Sequence, residues 1–404
     1  MNKKVYLLLV VFLLIYVGTG GTNVMLGSAW PAISLDIGAP ISRQSIVIVI
    51  VYIGAGLGAA TAQYLLARLR TWIPATLGIL LAAVFIFVFA ASSDFVVLIV
   101  CGTVIGYTIG LEGAICNGYV ARHYSAMAMT LLHCFYGVGC TMAPAILSYS
   151  ISVKDSWRVG YQTIGLIEFC IFAVLVLSIP LWRVHGPVFP RLRGALEDNG
   201  GEVSGAVEVR PVRELFRLPG TGIIVATMFI YCSFEVSMNC WGASFLTEAR
   251  GFLPGAAAGV MTLYFAGQIV GRIVSGFLAR RFGDRLLIRV FMVGVLVCTI
   301  DYILTGDAGI AFVYTVLGLT TGPVFPLIIH EVPSIVGGKN AQGVIGLQTA
   351  AANFSNASLP VIIGIVCGVA GFAVFPVFLI GLIIGAVVLK AVQDRGTLRR
   401  GVSV

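Results

Sequence analysis

Charge is what this sequence has least of. Only 10% of its 404 residues are Asp, Glu, Lys or Arg, while 59% are hydrophobic. A soluble domain carries roughly 25% charged residues. A chain this poor in charge cannot cover a globular core in water, so lipid must solvate most of it. Strict apolar–polar alternation is missing too. The apolar runs are long and continuous, which argues against a barrel and leaves helices, the other structure that satisfies its backbone in hydrocarbon. Cys-x-x-Cys pairs are absent, and the nine cysteines lie scattered, mostly within apolar runs. Neither a metal site nor a disulfide framework is expected. A phosphate-cradling G-x-x-x-x-G-K-[ST] loop is also missing, so ATP is not expected to drive the protein directly. No nucleophile–base grouping argues for an enzyme, and no cofactor is expected.

What is present is a series of hydrophobic runs long enough to span a bilayer, which takes about 20 residues. Twelve are expected, near 5–33, 43–67, 73–92, 95–120, 125–152, 159–182, 218–247, 254–279, 286–305, 307–331, 340–369 and 371–392. The first is too long for a signal-peptide core and is read as retained. The one long polar segment, 183–217, divides an N-terminal half (1–182) from a C-terminal half (218–404), each of six spans. Its end, "VRELFRL", has helix-period apolar residues and is expected to lie on the membrane surface.

The net charge of +8 belongs to the turns between spans, so nucleic acid is not an expected partner. With the N-terminus inside, Lys3, Lys4, Arg68, Arg70, Arg122, Arg280, Arg281, Arg285, Lys339 and Lys390 fall on the inner side. Only Arg43, Lys154, Arg158 and Arg250 fall outside. That bias places both termini in the cytoplasm. A bacterial cytoplasmic membrane and a monomer are the expected setting.

The two halves echo each other. "NVMLGSAW" (23–30) parallels "EVSMNCW" (235–241), with Asn23 and Glu235 standing 212 residues apart. "YIGAGLGAATAQYLLARLR" from Tyr52 parallels "YFAGQIVGRIVSGFLARRF" from Tyr264 at the same offset. Both of these spans carry small-xxx-small spacing, Gly54/Gly58 and Gly267/Gly271, which permits close helix contact. A shared offset across consecutive spans points to duplication. Parallel halves of six spans are the build of a rocking transporter with its substrate near the midplane.

The resemblance to a family rests on particular stretches. "GRIVSGFLARRFGDR" (271–285) resembles the loop motif of the major facilitator superfamily, and "LARLRTW" is a degraded copy in the first half. "LLHCFYGVGCTMAP" (131–144), "EVSMNCW", "GPVFPLI" (322–328) and "LQTAAANFSNASLPVIIG" (347–364) are similar to the fifth, seventh, tenth and eleventh helices of the fucose/glucose-galactose type of sugar:proton symporter. The fourth helix departs from that group's pattern: Glu112 precedes Asn117 by five residues, not four. The resemblance implies an all-α membrane protein of twelve transmembrane helices in two six-helix pseudo-repeat halves, the major facilitator fold.

Ionisable groups inside spans are functional candidates, because their burial costs about 2.5–3.5 kcal/mol on insertion scales. Four stand well inside: Glu112, His133, Glu168 and Glu235. Glu112 and His133 sit at comparable depth on consecutive helices and are candidates for a carboxylate–imidazole pair that carries a coupling proton. The alternative is structural hydrogen bonding for Glu112 and passive helix contact for His133. Glu168, which the resemblance puts at the periphery of its half, is read as structural. Glu235 is the lone charge between Arg217 and Glu248, with Asn239 one turn on. It either meets a polar solute or a proton, or makes an interhelical hydrogen bond. Asn23, its repeat mate, and Gln348, Asn353 and Asn356 in the eleventh span are candidates to line the same cavity. Trp241 is read either as an interfacial anchor or as a stacking face for a sugar. Arg272, Asp284 and Arg285 are expected to hold one access state, or simply to set orientation. Pro323 and Pro326 are expected to bend the tenth span, as a gate or as a fixed kink.

The expected function is secondary active transport of a small polar solute, a sugar among the candidates, coupled to protons or alternatively to sodium. A drug or amphiphile exporter of the same fold is the second reading. A transport-inactive sensor or scaffold is the third, and it would be supported by a large soluble domain.

Overall fold

A computed structural model of the chain describes residues 3–124, 126–183 and 212–398. The described residues form helices and no strand, which removes the barrel. The first half contains α1 (Lys3–Asp36), α2 (Gln44–Arg68), α3 (Trp72–Ala91), α4 (Phe95–His123), α5 (Ala126–Lys154) and α6 (Trp157–Ser178). The second contains α7 (Val212–Arg217), α8 (Thr221–Glu248), α9 (Pro254–Phe282), α10 (Asp284–Leu304), α11 (Ile310–Thr321), α12 (Val324–Val336), α13 (Gly338–Ala370) and α14 (Phe375–Leu398). Twelve helical segments are long and apolar enough to cross a membrane, α11 and α12 together making one of them.

Most of the expected central segment falls on 184–211, outside the described residues. Its end, α7, is a single short helix. Leu215 on α7 is buried with Ile224, Val332, Ala341 and Val344, so the helix is docked by an apolar side chain.

The breaks have local causes. The tenth span is expected as one helix, but it divides at Gly322–Pro323. Pro323 has no N–H to continue the helical ladder, and its ring crowds the preceding turn. Pro326 falls in the first turn of α12, where a missing N–H leaves no bond unmade. Gly283, with φ 75°, is the single residue joining α9 to α10. That left-handed conformation suits glycine and strains other residues. At the start of α4, Asp94 accepts a hydrogen bond from the Val96 N–H at 2.7 Å, capping an otherwise unpaired first turn.

Contacts between Cα atoms group the chain into two units. The first holds α1–α6 with the opening turns of α9, and the second holds α7, α8, the rest of α9 and α10–α14. Each unit is pinned by a helix pair in backbone contact. In the first, a Cβ at Gly106 or Gly110 of α4 would lie 2.0 Å from Val51 O or 1.9 Å from Ala55 O of α2. In the second, a Cβ at Gly318 or Gly322 would lie 1.9 Å from Tyr264 O or 2.3 Å from Gln268 O of α9. Gly106 and Gly318, and Gly110 and Gly322, stand 212 residues apart. The duplication therefore extends to the packing of α4 and α11, beyond the spans in which the sequence shows it.

Gly318→Leu should prevent folding of the second unit. The obstructing atom is backbone and cannot swing away. The cost is expected at or above the upper end of the ~1–3 kcal/mol typical of overpacking. Gly276→Leu on α9 is the control, since a Cβ there meets nothing within 4 Å. Monodisperse yield in detergent should collapse for the first variant and persist for the second.

Candidate functional site

In the second unit, Glu235 projects from the middle of α8 and is 13% exposed. One face of α9 meets it with a polar stripe at one-turn spacing: Tyr264, Gln268 and Arg272. Gln268 Nε2 donates to Glu235 Oε1 at 3.1 Å and lies 3.1 Å from the Tyr264 hydroxyl. Arg272 Nη2 stands 3.7 Å from Glu235 Oε1, an ion pair without a short hydrogen bond. Arg272 Nε donates to Gly322 O at 3.1 Å. One guanidinium thus ties the acid of α8 to the break in the tenth span. Tyr231 on α8 adds a bond to Thr321 O beside the same break.

The buried amide oxygens of Asn239 on α8 and of Gln348 and Asn356 on α13 accept no hydrogen bond among the described residues. Helix α13 packs along α8 through a Ser233–Ser355 hydroxyl pair at 2.7 Å and a Trp241 Nε1 to Pro360 O bond at 2.7 Å. The first contact sets Asn356 at the height of Glu235. Asn353, expected on the same face, is exposed. Buried polar atoms without partners are uncommon in folded proteins and call for an explanation. A polar ligand with several hydroxyl groups would supply one.

Trp241 does not join this set. It is fully enclosed, touches Phe372 at 5.7 Å and gives its N–H to the main chain. It offers no face to a solute and none to lipid or water, so it cannot serve as an interfacial anchor. Its repeat mate Trp30 is likewise fully buried and bonded to Ile41 O at 2.7 Å.

In the first unit, Asn23 Nδ2 donates to the Tyr136 hydroxyl at 2.7 Å. Tyr136 and His133 on α5 each meet the Tyr16 ring edge-on at 5.9 Å. His133 is exposed. The expected Glu112–His133 pair is not what the structure brings together. Glu112 is fully buried beside a second acid, Glu168, and the two line one small cavity with Thr19, Thr22 and Thr108. The exposed imidazole and the enclosed carboxyl lie in different environments.

The expected trio Arg272, Asp284 and Arg285 also separates. Asp284 pairs with the exposed His330 at 2.6 Å. Arg285 lies 3.6 Å from Glu331 and 3.5 Å from Asp394. Lys390 bonds both of those acids, and Arg289 bonds Asp394 at 2.5 Å. This network joins α10, α12 and α14. Lys390, read from the sequence as an inner-surface charge, is 2% exposed within it.

Sequence reasoning missed Gln268 and Arg272 as partners of Glu235. The signal was available: Tyr264, Gln268 and Arg272 are polar at i, i+4 and i+8 within an apolar span, one helical face.

Twelve helical spans with buried acids and unpaired amides set inside them define a multi-pass membrane protein of transporter build. The chain belongs to the Major Facilitator Superfamily, whose family model matches residues 12–329. Bypass of stop codon protein 6 of Saccharomyces cerevisiae (strain ATCC 204508 / S288c) is 22% identical over 74% of this chain. The match covers 65% of that yeast protein, just under two thirds of its length. The glucose/mannose transporter GlcP of Bacillus subtilis (strain 168) is 22% identical over 87% of this chain and 84% of its own. Among solved structures, a bacterial homologue of the human lysosomal transporter Spinster, inward-facing and unoccupied, superposes with a TM-score of 0.73 at 13% identity, covering 99% of both chains. The nucleoside transporter NupG gives 0.71 at 14% identity, covering 98% of this chain and 99% of its own. At such identities the structures show a shared fold.

Proposed function

We propose that this protein is a secondary active transporter of a small polar organic solute, driven by a proton gradient through alternating access. Sugars are the first solute class to test. The observation that carries the reading is the polar set within the spans of the second unit. Glu235 is held between Gln268 and Arg272, and the buried amide oxygens of Asn239, Gln348 and Asn356 accept no hydrogen bond among the described residues. Sugar hydroxyls are both donors and acceptors and match such a set. Asn23, held by Tyr136, is the corresponding group of the first unit. The likeness to a glucose/mannose transporter and to a nucleoside transporter supports a hydroxyl-rich solute. The solute is carried, not converted.

In this reading Arg272 links solute to gate. It touches the acid of α8 and the carbonyl that precedes Pro323, so a shift of α12 at the break would reach Glu235. Asp284 and Arg285 hold the far ends of α10 and α12 in one arrangement. The protein acts as a monomer in a bacterial cytoplasmic membrane, with both termini inside. Protons are the proposed coupling ion, with sodium as the competing outcome.

The test is uptake into proteoliposomes of purified protein, with a panel of monosaccharides and nucleosides. At one proton per solute, an imposed gradient of one pH unit should support about tenfold accumulation of the true substrate. A substrate that exchanges freely but never accumulates with the pH gradient removes proton coupling. A panel in which only amphiphiles move removes the polar-solute reading.

A further inference from the structure

Among the described acids of the first unit, Glu112 and Glu168 are the most thoroughly enclosed, each 1% exposed. They come from α4 and α6, 56 residues apart, and line the same cavity. Its size is right for about one water molecule.

The hydrogen-bond inventory around them is one-sided. Glu168 Oε1 accepts from Thr22 Oγ1 at 2.8 Å. Glu168 Oε2 and both oxygens of Glu112 are buried with no partner among the described residues. The other hydroxyls of the cavity are spent on the main chain: Thr19 bonds Ile15 O at 2.9 Å and Thr108 bonds Ile105 O at 2.7 Å. Among the described residues no basic side chain lines the cavity. Among the described titratable groups, Glu168 from α6 acts on Glu112, and Glu112 in turn acts on Tyr16 from α1 and Cys116 on its own helix. The α3 side is closed by Gly78, where a Cβ would sit 2.1 Å from Glu112 Oε1. On the α1 side Gly18 backs Glu168, where a Cβ would sit 2.6 Å from Oε2. Two glycines therefore let main chain close over both carboxyl groups.

Two carboxylates sharing one cavity with room for about one water cannot both stay ionised, because so little solvent leaves the repulsion of like charges uncompensated. At least one of them must take up a proton or a metal ion. Gly78 covers Glu112 Oε1 with a carbon-bound hydrogen, leaving a metal ion poorly served on that side. A proton needs no such coordination shell.

We propose that Glu112 and Glu168 form a shared-proton site, one carboxylic acid and one carboxylate bridged through the water-sized cavity, and that this pair carries the coupling proton. The proposal deepens the proton-coupled reading above and rests on it for the transport role. It makes Glu168 a functional residue. It also separates the proton from Glu235, which already has Arg272 as its counter-charge.

The closing experiment measures the proton directly. Infrared difference spectra of the purified full-length protein at neutral pH compare wild type with the double variant Glu112→Gln/Glu168→Gln. The expected difference contains one carboxylic-acid C=O band, shifted by deuterium exchange, and one carboxylate band. Two acid bands or two carboxylate bands overturn the shared proton. Sodium that abolishes the acid band at fixed pH overturns it in favour of a metal ion. Should the double variant fail to fold, each single variant is compared in the same way and must alter the acid band, and an unaltered band in either one overturns the pair. In proteoliposomes, Glu168→Gln should lose the roughly tenfold accumulation per pH unit that one-to-one coupling supports. Normal accumulation by Glu168→Gln overturns the coupling role, even with the acid band present. Absence of pH-driven uptake in the wild type would instead defeat the parent reading, and the infrared result would stand apart from it.

Discussion

Asp394→Asn should destabilise the second unit by about 3–5 kcal/mol, the range seen when one member of a buried ion network is removed. Asp394 sits among Arg285, Arg289 and Lys390 and shares two of these cations with Glu331. Neutralising it leaves three cations to one acid. The carboxylate is 2% exposed at its side chain, so water cannot take over the lost charge. Asparagine keeps the shape, which assigns the loss to charge rather than to a cavity. The measurement is thermal unfolding in detergent, read as loss of the monodisperse peak. Asp394→Asn/Lys390→Met should recover part of the loss, because it removes one stranded cation along with the acid. An unchanged melting temperature for Asp394→Asn would mean that water reaches this network and screens it.

That network also shows where sequence reading ends. The spans were legible because a bilayer demands length and apolarity, and both are local properties. Pro323 was legible as a bend because its chemistry acts on its own turn. Glu235 stood out because no other charge lies near it along the chain. What a helix meets across a gap is a different matter. Lys390 reads as an inner-surface charge, because one of its two acid partners, Glu331, is 59 residues away. Arg272 was drawn into the loop motif by the basic residues that follow it, whereas its partner is on α8 and its second contact is at Gly322. Glu112 was matched with His133 by depth alone. Depth along two helices does not give rotation, and rotation turned Glu112 towards Glu168. The candidate set of the second unit was therefore visible as a list of polar residues, while their pairing needed coordinates.

Pairing decides the last expected result. Glu235→Gln should weaken solute binding by about 10–100-fold, matching the ~1.5–3 kcal/mol of a hydrogen bond to a charged group. Glutamine keeps the length and can still accept from Gln268, so helix packing should survive. Arg272→Gln should be the worse change. It strands Glu235 without a counter-charge in a site 13% exposed and also removes the bond to Gly322 O beside the break. Both binding and the rate of exchange should fall. The double variant Glu235→Gln/Arg272→Gln removes the stranded charge, so it should bind better than Arg272→Gln alone while still exchanging slowly. Equilibrium binding of the substrate identified by uptake, together with counterflow rates, separates the two effects. Equal losses in the two single variants, with no recovery in the double, would mean that the acid and the guanidinium act independently. Arg272 would then be a gate contact only, and the solute would be held without the ion pair.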